Sequence, residues 1–229
     1  MNYNTDVGIA ENIFDLFFAP RRLAERIKEK PQFLIPIAII VLIAILSNFV
    51  IKELSFQAQI DAIKETTPYV SVESLRAQYE RGFWLALIFA PLTVILLCAV
   101  SSGVYWGASR IFGGVGDFAP TFSVMLYSFV ITSLGSLIQY FMANATNNLM
   151  FSFSPAVLLD IKTANPWLYN LLTLVNPVHI FVLTFLVITL QVINEYSRKN
   201  AVLTVAVVTI AKYLLTSVIT MLFSQNMLF

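Results

Sequence analysis

Five long apolar stretches alternate with polar segments along the chain, at about 32–51, 83–108, 118–142, 170–193 and 201–223. A helix rising about 1.5 Å per residue needs about 20 residues to cross roughly 30 Å of hydrocarbon, so these stretches predict membrane spans. The fourth is ambiguous at its start and opens at either Leu168 or Val178. Ahead of the spans the pattern changes. Ile9, Ile13 and Phe17, then Leu23 and Ile27, recur every three or four residues on both sides of Pro20, while Arg22, Arg26 and Lys30 fall on another face. Such a face arrangement predicts an amphipathic helix lying in the headgroup layer. The expectation is an all-α, polytopic membrane helical bundle with five transmembrane helices and an N-terminal amphipathic interfacial helix, divided into residues 1–31 and a membrane domain over 32–229.

The polar segments add detail. Between Lys52 and Arg81, Leu54, Ile60 and Ile63 precede Pro68, and Val72, Leu75 and Tyr79 follow Ser71. They predict two further helices, the second capped by Ser71, covering the bundle from outside. The segment 143–167 mixes asparagines and prolines with Phe151, Phe153, Leu158 and Leu159, and reads as an interfacial or partly re-entrant loop. The connections RIFGGVGD and NEYSRKN are short enough to force their flanking spans into antiparallel neighbours. The first is a tight turn ending in an Asp117 helix cap; it lacks the lysine and hydroxyl of a phosphate-binding loop.

Of 229 residues, 58% are hydrophobic and only 12% charged, against about 25% charged in soluble domains. Fourteen basic residues against thirteen acidic ones leave a formal charge of +1, so no global field points to nucleic acid. Local distribution is more informative. Arg21, Arg22, Arg26, Lys28, Lys30, Arg110, Arg198 and Lys199 collect on one side of the predicted spans, whereas the longer loops opposite carry Lys52, Lys64, Arg76, Arg81 and Lys162. The positive side of a membrane protein is cytoplasmic, which places the N-terminus inside and the C-terminus outside. Arg21, Arg22, Arg26, Arg198 and Lys199 are then candidates for contact with a membrane surface or a protein partner. No removable signal peptide is evident. The single Cys98 excludes an intrachain disulfide and a thiolate cluster, and the single His179 excludes a multi-histidine metal site. No cofactor or metal motif is present.

Within the spans, Lys212 falls halfway along the last apolar stretch, and no Asp or Glu lies inside any of the five. A charge in hydrocarbon costs about 2.5–3.5 kcal/mol on insertion scales, so Lys212 is neutralised by burial with a lowered pKa, bonded to neighbouring hydroxyls and carbonyls, or the seat of an anion such as a lipid phosphate. Thr209, Lys212, Thr216 and Thr220 share one helical face. Ser128, Thr132, Ser136 and Gln139 form a similar stripe on the third span, and Thr184 and Gln191 lie on the fourth. Lys212, Thr209, Thr216, Ser128, Thr132 and Gln191 are therefore the candidate anion- or lipid-binding set, although such faces also serve simply to pack membrane helices. Gly103 and Gly107 make a small-xxx-small pair suited to close helix contact within the bundle or between copies of the chain.

Three stretches carry a family likeness: FDLFFAPRRLAERI, FGGVGDFAPTFSVMLYS and NPVHIFVLTFLVITLQVINEYSRKNAV, in this order relative to five spans. The chain resembles the Yip-domain family of five-span membrane proteins from Ile13 onward. The resemblance implies a cytoplasmic N-terminus and a non-enzymatic adaptor or organiser. Eukaryotic members are associated with Golgi and endoplasmic reticulum trafficking and small GTPases. This chain lacks their long polar N-terminal region, so the expectation is a bacterial-type, inner-membrane member working through its cytoplasmic face. The alternative is a carrier or lipid-handling protein with its anion at Lys212.

Overall fold

The computed structural model describes residues 8–66, 69, 71–149, 151–159 and 165–226. Eight α-helices account for most of them: α1 (Ile9–Phe18), α2 (Pro20–Glu29), α3 (Leu34–Thr66), α4 (Val72–Ile111), α5 (Phe118–Ala145), α6 (Pro166–Leu174), α7 (Pro177–Asn194) and α8 (Arg198–Asn226). Five of these, α3, α4, α5, α7 and α8, are long and apolar enough to cross a membrane. The protein is thus a multi-pass helical membrane protein. α5 is the axis of the bundle and the most enclosed span. It packs on α2, α3, α4 and α7, whereas α8 packs on α4, α6 and α7. Lipid removes the hydrophobic drive between spans, so close packing and internal hydrogen bonds hold such a bundle together.

One contact shows how closely α5 and α7 approach. A Cβ built on Gly135 would lie 2.6 Å from Val178 Cγ1, so only glycine leaves room for α7 there. Gly103 and Gly107 differ: among the described residues a Cβ at either position meets nothing within 4 Å.

The connection between α4 and α5 is built from its sequence. Gly113 takes φ +83, its amide donates to Arg110 O at 3.2 Å, and the Gly114 amide donates to Ser109 O at 2.8 Å. This is the left-handed closure that ends helices at glycine. The loop then docks on α7, with the Val115 amide on Asn194 O at 3.1 Å and Gly116 against Ile193. Trp106 Nε1 and Arg110 Nη2 both donate to Gly116 O, at 3.2 and 3.0 Å. Asp117 stands at the N-cap of α5, yet its side chain makes no capping hydrogen bond; nor does that of Ser71 at α4. Asn165 and Asn176 do cap, accepting from the amides of Trp167 and Val178 beside Pro166 and Pro177 at the first helical positions.

The structure departs from the expected spans in three places. The first apolar helix opens at Leu34, because Gln32 is tied to α5: its amide donates to Ser123 Oγ at 3.1 Å and its carbonyl accepts from the same hydroxyl at 2.7 Å. The segment after Lys52 is not a separate pair of covering helices. α3 and α4 run on beyond the apolar stretch and pair with each other through Lys52–Glu80 at 2.8 Å, Arg76–Glu53 at 2.7 Å, and the Tyr79 hydroxyl on Lys52 O at 2.8 Å. Pro68, the expected divider, lies outside the described residues. The fourth apolar segment is broken at 175–176 into α6 and α7.

Candidate functional site

Polar chemistry concentrates where the chain's first two helices meet the bundle. Ala19 and Pro20 interrupt α1 and α2, and the two fold back on each other as a hairpin. The reversal brings acids of α1 against bases of α2. Asp15 accepts from Arg22 Nε at 3.0 and 2.9 Å and from Arg26 Nη2, and Arg26 Nη1 donates to Glu11 at 3.0 Å. Asp15 is fully buried and the Arg26 side chain is 10% exposed. Two carboxylates and two guanidiniums balance one another, as a cluster withdrawn from water requires.

A second chain of bonds ties the hairpin to α5. Asn12 Nδ2 donates to Gln32 Oε1 at 2.8 Å, and the Tyr127 hydroxyl donates to the same oxygen at 2.9 Å. Leu16, Leu23, Ala24 and Ile27 are fully buried beside this network. Asn12 Oδ1 and Arg26 Nε are left buried without a partner. Sequence reasoning singled out neither Asp15 nor Asn12, Gln32 or Tyr127. The available signal was Asp15 seven and eleven residues before Arg22 and Arg26, in register only once the chain reverses at Pro20.

The outer face of α2 lines a cleft of about 530 Å³ with the end of α7. Arg21, Glu25, Lys28 and Glu29 come from α2; Gln191, Glu195 and Tyr196 come from the end of α7 and the turn after it. Lys28 pairs with Glu195, and Arg21 with Glu25 at 3.3 Å. Glu195 itself takes φ 54, which ends α7 and presents its carboxylate to Lys28. Arg198 and Lys199, in the first turn of α8, are exposed at the same end. Of the basic candidates, then, Arg21, Arg198 and Lys199 face outward, Arg22 is partly turned inward at 44% exposure, and Arg26 is enclosed.

The candidate set around Lys212 is not gathered into one site. Gln191 belongs to the cleft just described. Ser128 and Thr132 donate to Met125 O and Ser128 O of their own helix, at 2.7 and 3.1 Å. Thr209 meets the Tyr105 hydroxyl of α4, and Thr216 donates to Lys212 O at 2.9 Å. The Lys212 side chain is exposed, its ammonium makes no hydrogen bond or ion pair among the described residues, and it lies within electrostatic range of His179 in the first turn of α7. His179 Nε2 is buried without a partner. Among the described residues no group of three His, Cys, Asp or Glu side chains is placed to hold a metal ion.

A Yip1 domain matches residues 14–219, from the middle of α1 to the outer part of α8. The chain belongs to the Yip1 family. The match takes in most of the hairpin as well as all five spans, so it covers Asp15, Arg22 and Arg26 and the loop clamped under α7, while Glu11 lies before it. No curated protein and no solved structure matches the chain.

Proposed function

We propose that this Yip1-family protein is a non-enzymatic adaptor or organiser in a bacterial-type inner membrane, binding protein partners at its hairpin end, and that this end is cytoplasmic. The observation carrying the reading is the cleft between α2 and α7, where charged side chains of both signs face outward on a scaffold fixed by the buried Asp15 cluster. Mixed charges presented on rigid helices suit selective docking, since complementary charge governs encounter and rejects wrong partners. The excess of basic residues at the same end, Arg198 and Lys199 included, supports the orientation. Reversal of both, Arg198→Glu with Lys199→Glu, touches no ion pair. It should abolish co-purification of crosslinked partners while leaving the melting temperature within a few degrees. Unchanged partners in that variant refute the reading.

A second reading rests on Lys212. An ammonium on a span with no partner among the described residues, near His179 Nε2, supports a seat for an anionic lipid group. Stabilisation by anionic over zwitterionic lipid should then vanish in Lys212→Met; equal stabilisation in both proteins excludes this seat.

A further inference from the structure

The α1–α2 hairpin is amphipathic in an inverted sense. Its polar side chains Asn12 and Asp15 are fully buried against the protein, whereas Ile9, Ile13, Phe14, Phe17 and Phe18 are exposed, Phe18 by 75%. A large apolar face left open needs an apolar partner. Two contacts show how the hairpin stands relative to the spans. Lys28, at the base, pairs with Glu195 just past the end of α7. Phe17, near the tip, stacks on Phe181 of the same helix, with ring centroids 5.9 Å apart. Phe181 lies about 20 Å from Asn194 along α7. α2 packs along α7 between these two contacts, and so runs beside a span.

We infer that α1 and α2 enter the membrane as a re-entrant hairpin, tip first, with the Phe14, Phe17 and Phe18 face against lipid acyl chains. The occupant follows from continuity. The open face of α1 joins that of α7 through the Phe17–Phe181 stack, beside Ile180, which is 53% exposed on a helix apolar enough to span. Arg21, Glu25, Lys28 and Glu29 of α2 lie apart from the phenylalanine face and line the open cleft with Gln191 and Glu195. The remaining charges of the hairpin, Glu11, Asp15, Arg22 and Arg26, pair with one another. This placement differs from a helix lying flat in the headgroup layer, and it holds whether or not a partner docks at the cleft.

Depth measurements decide it. Nitroxide labels are attached singly at Phe14→Cys, Phe18→Cys and Glu29→Cys in the full chain in phosphatidylcholine vesicles; Cys98 is fully buried and the parent chain supplies the blank. Labels at 14 and 18 should collide with oxygen at least several-fold more than with a polar nickel chelate. Position 18 should be deeper than 14 by about 6 Å, and 29 should favour the chelate. Equal depths at 14 and 18 mean a flat helix and overturn the inference. Preference for nickel at both means a face in water. Weak collision with either reagent, together with spin–spin broadening, means a face covered by a second copy of the chain. As a check independent of labelling, Phe18→Asp should lower the melting temperature in vesicles and Phe18→Leu should not; equal melting of the two also contradicts insertion.

Discussion

Asp15 is the residue on which the hairpin depends. Its carboxylate is fully buried between Arg22 and Arg26, and its replacement leaves two guanidiniums facing each other with no acid between them. Removing one member of a buried ion pair costs about 3–5 kcal/mol. Asp15→Asn should therefore cost that much in detergent unfolding, or release the hairpin to proteolysis, whereas Glu11→Gln, at a side chain 48% exposed, should cost under about 1 kcal/mol. At this scale the sequence was partly legible. Arg21, Arg198 and Lys199, expected to contact a membrane surface or a partner, have exposed side chains. Arg26 read as one of a basic surface stripe and is enclosed, because a periodic charge pattern does not show that the chain turns back at Pro20 and lays Glu11 and Asp15 on it. The Gln32–Tyr127 bond joins residues far apart in sequence and has no local signal.

At the level of elements, the apolar stretches located all five spans because the bilayer sets a minimum length that little else in a protein imitates. Their ends were less legible. Hydropathy falls after Lys52, but the helical backbone does not stop where lipid does, and the paired charges Lys52–Glu80 and Arg76–Glu53 keep α3 and α4 together beyond it. Glycine spacing misdirected attention in a similar way. The GxxxG-like pair meets open space, while the isolated Gly135 sits under Val178. Gly135→Val should destabilise by about 1–3 kcal/mol through overpacking. Gly103→Ala should be neutral or stabilising by up to about 1 kcal/mol from helix propensity. Thermal denaturation of the two variants in the same lipid separates these outcomes; a large loss in Gly103→Ala would instead reveal a contact outside the chain.

Over the whole molecule, the two ends differ in kind. The far end carries the paired extensions of α3 and α4, and the hairpin end carries the buried ion cluster, the charged cleft, the clamped loop and the outward-facing Arg198 and Lys199. The candidate anion-binding set is not gathered at this scale, since α5 and α8 both pack on α4 and α7 and not extensively on each other. What the stripes shared was helical spacing, which reports a face but not what the face meets. The adaptor account predicts that binding is confined to one end, and site-specific photocrosslinking in native membranes tests this most directly. Photoreactive residues placed singly at Arg21 and Glu25 should yield discrete protein adducts that disappear on adding Arg198→Glu and Lys199→Glu, while the same residue at Arg76 or Lys212 yields none. Adducts that form only at Arg76 or Lys212, or hairpin-end adducts that survive the charge reversal, would contradict the account.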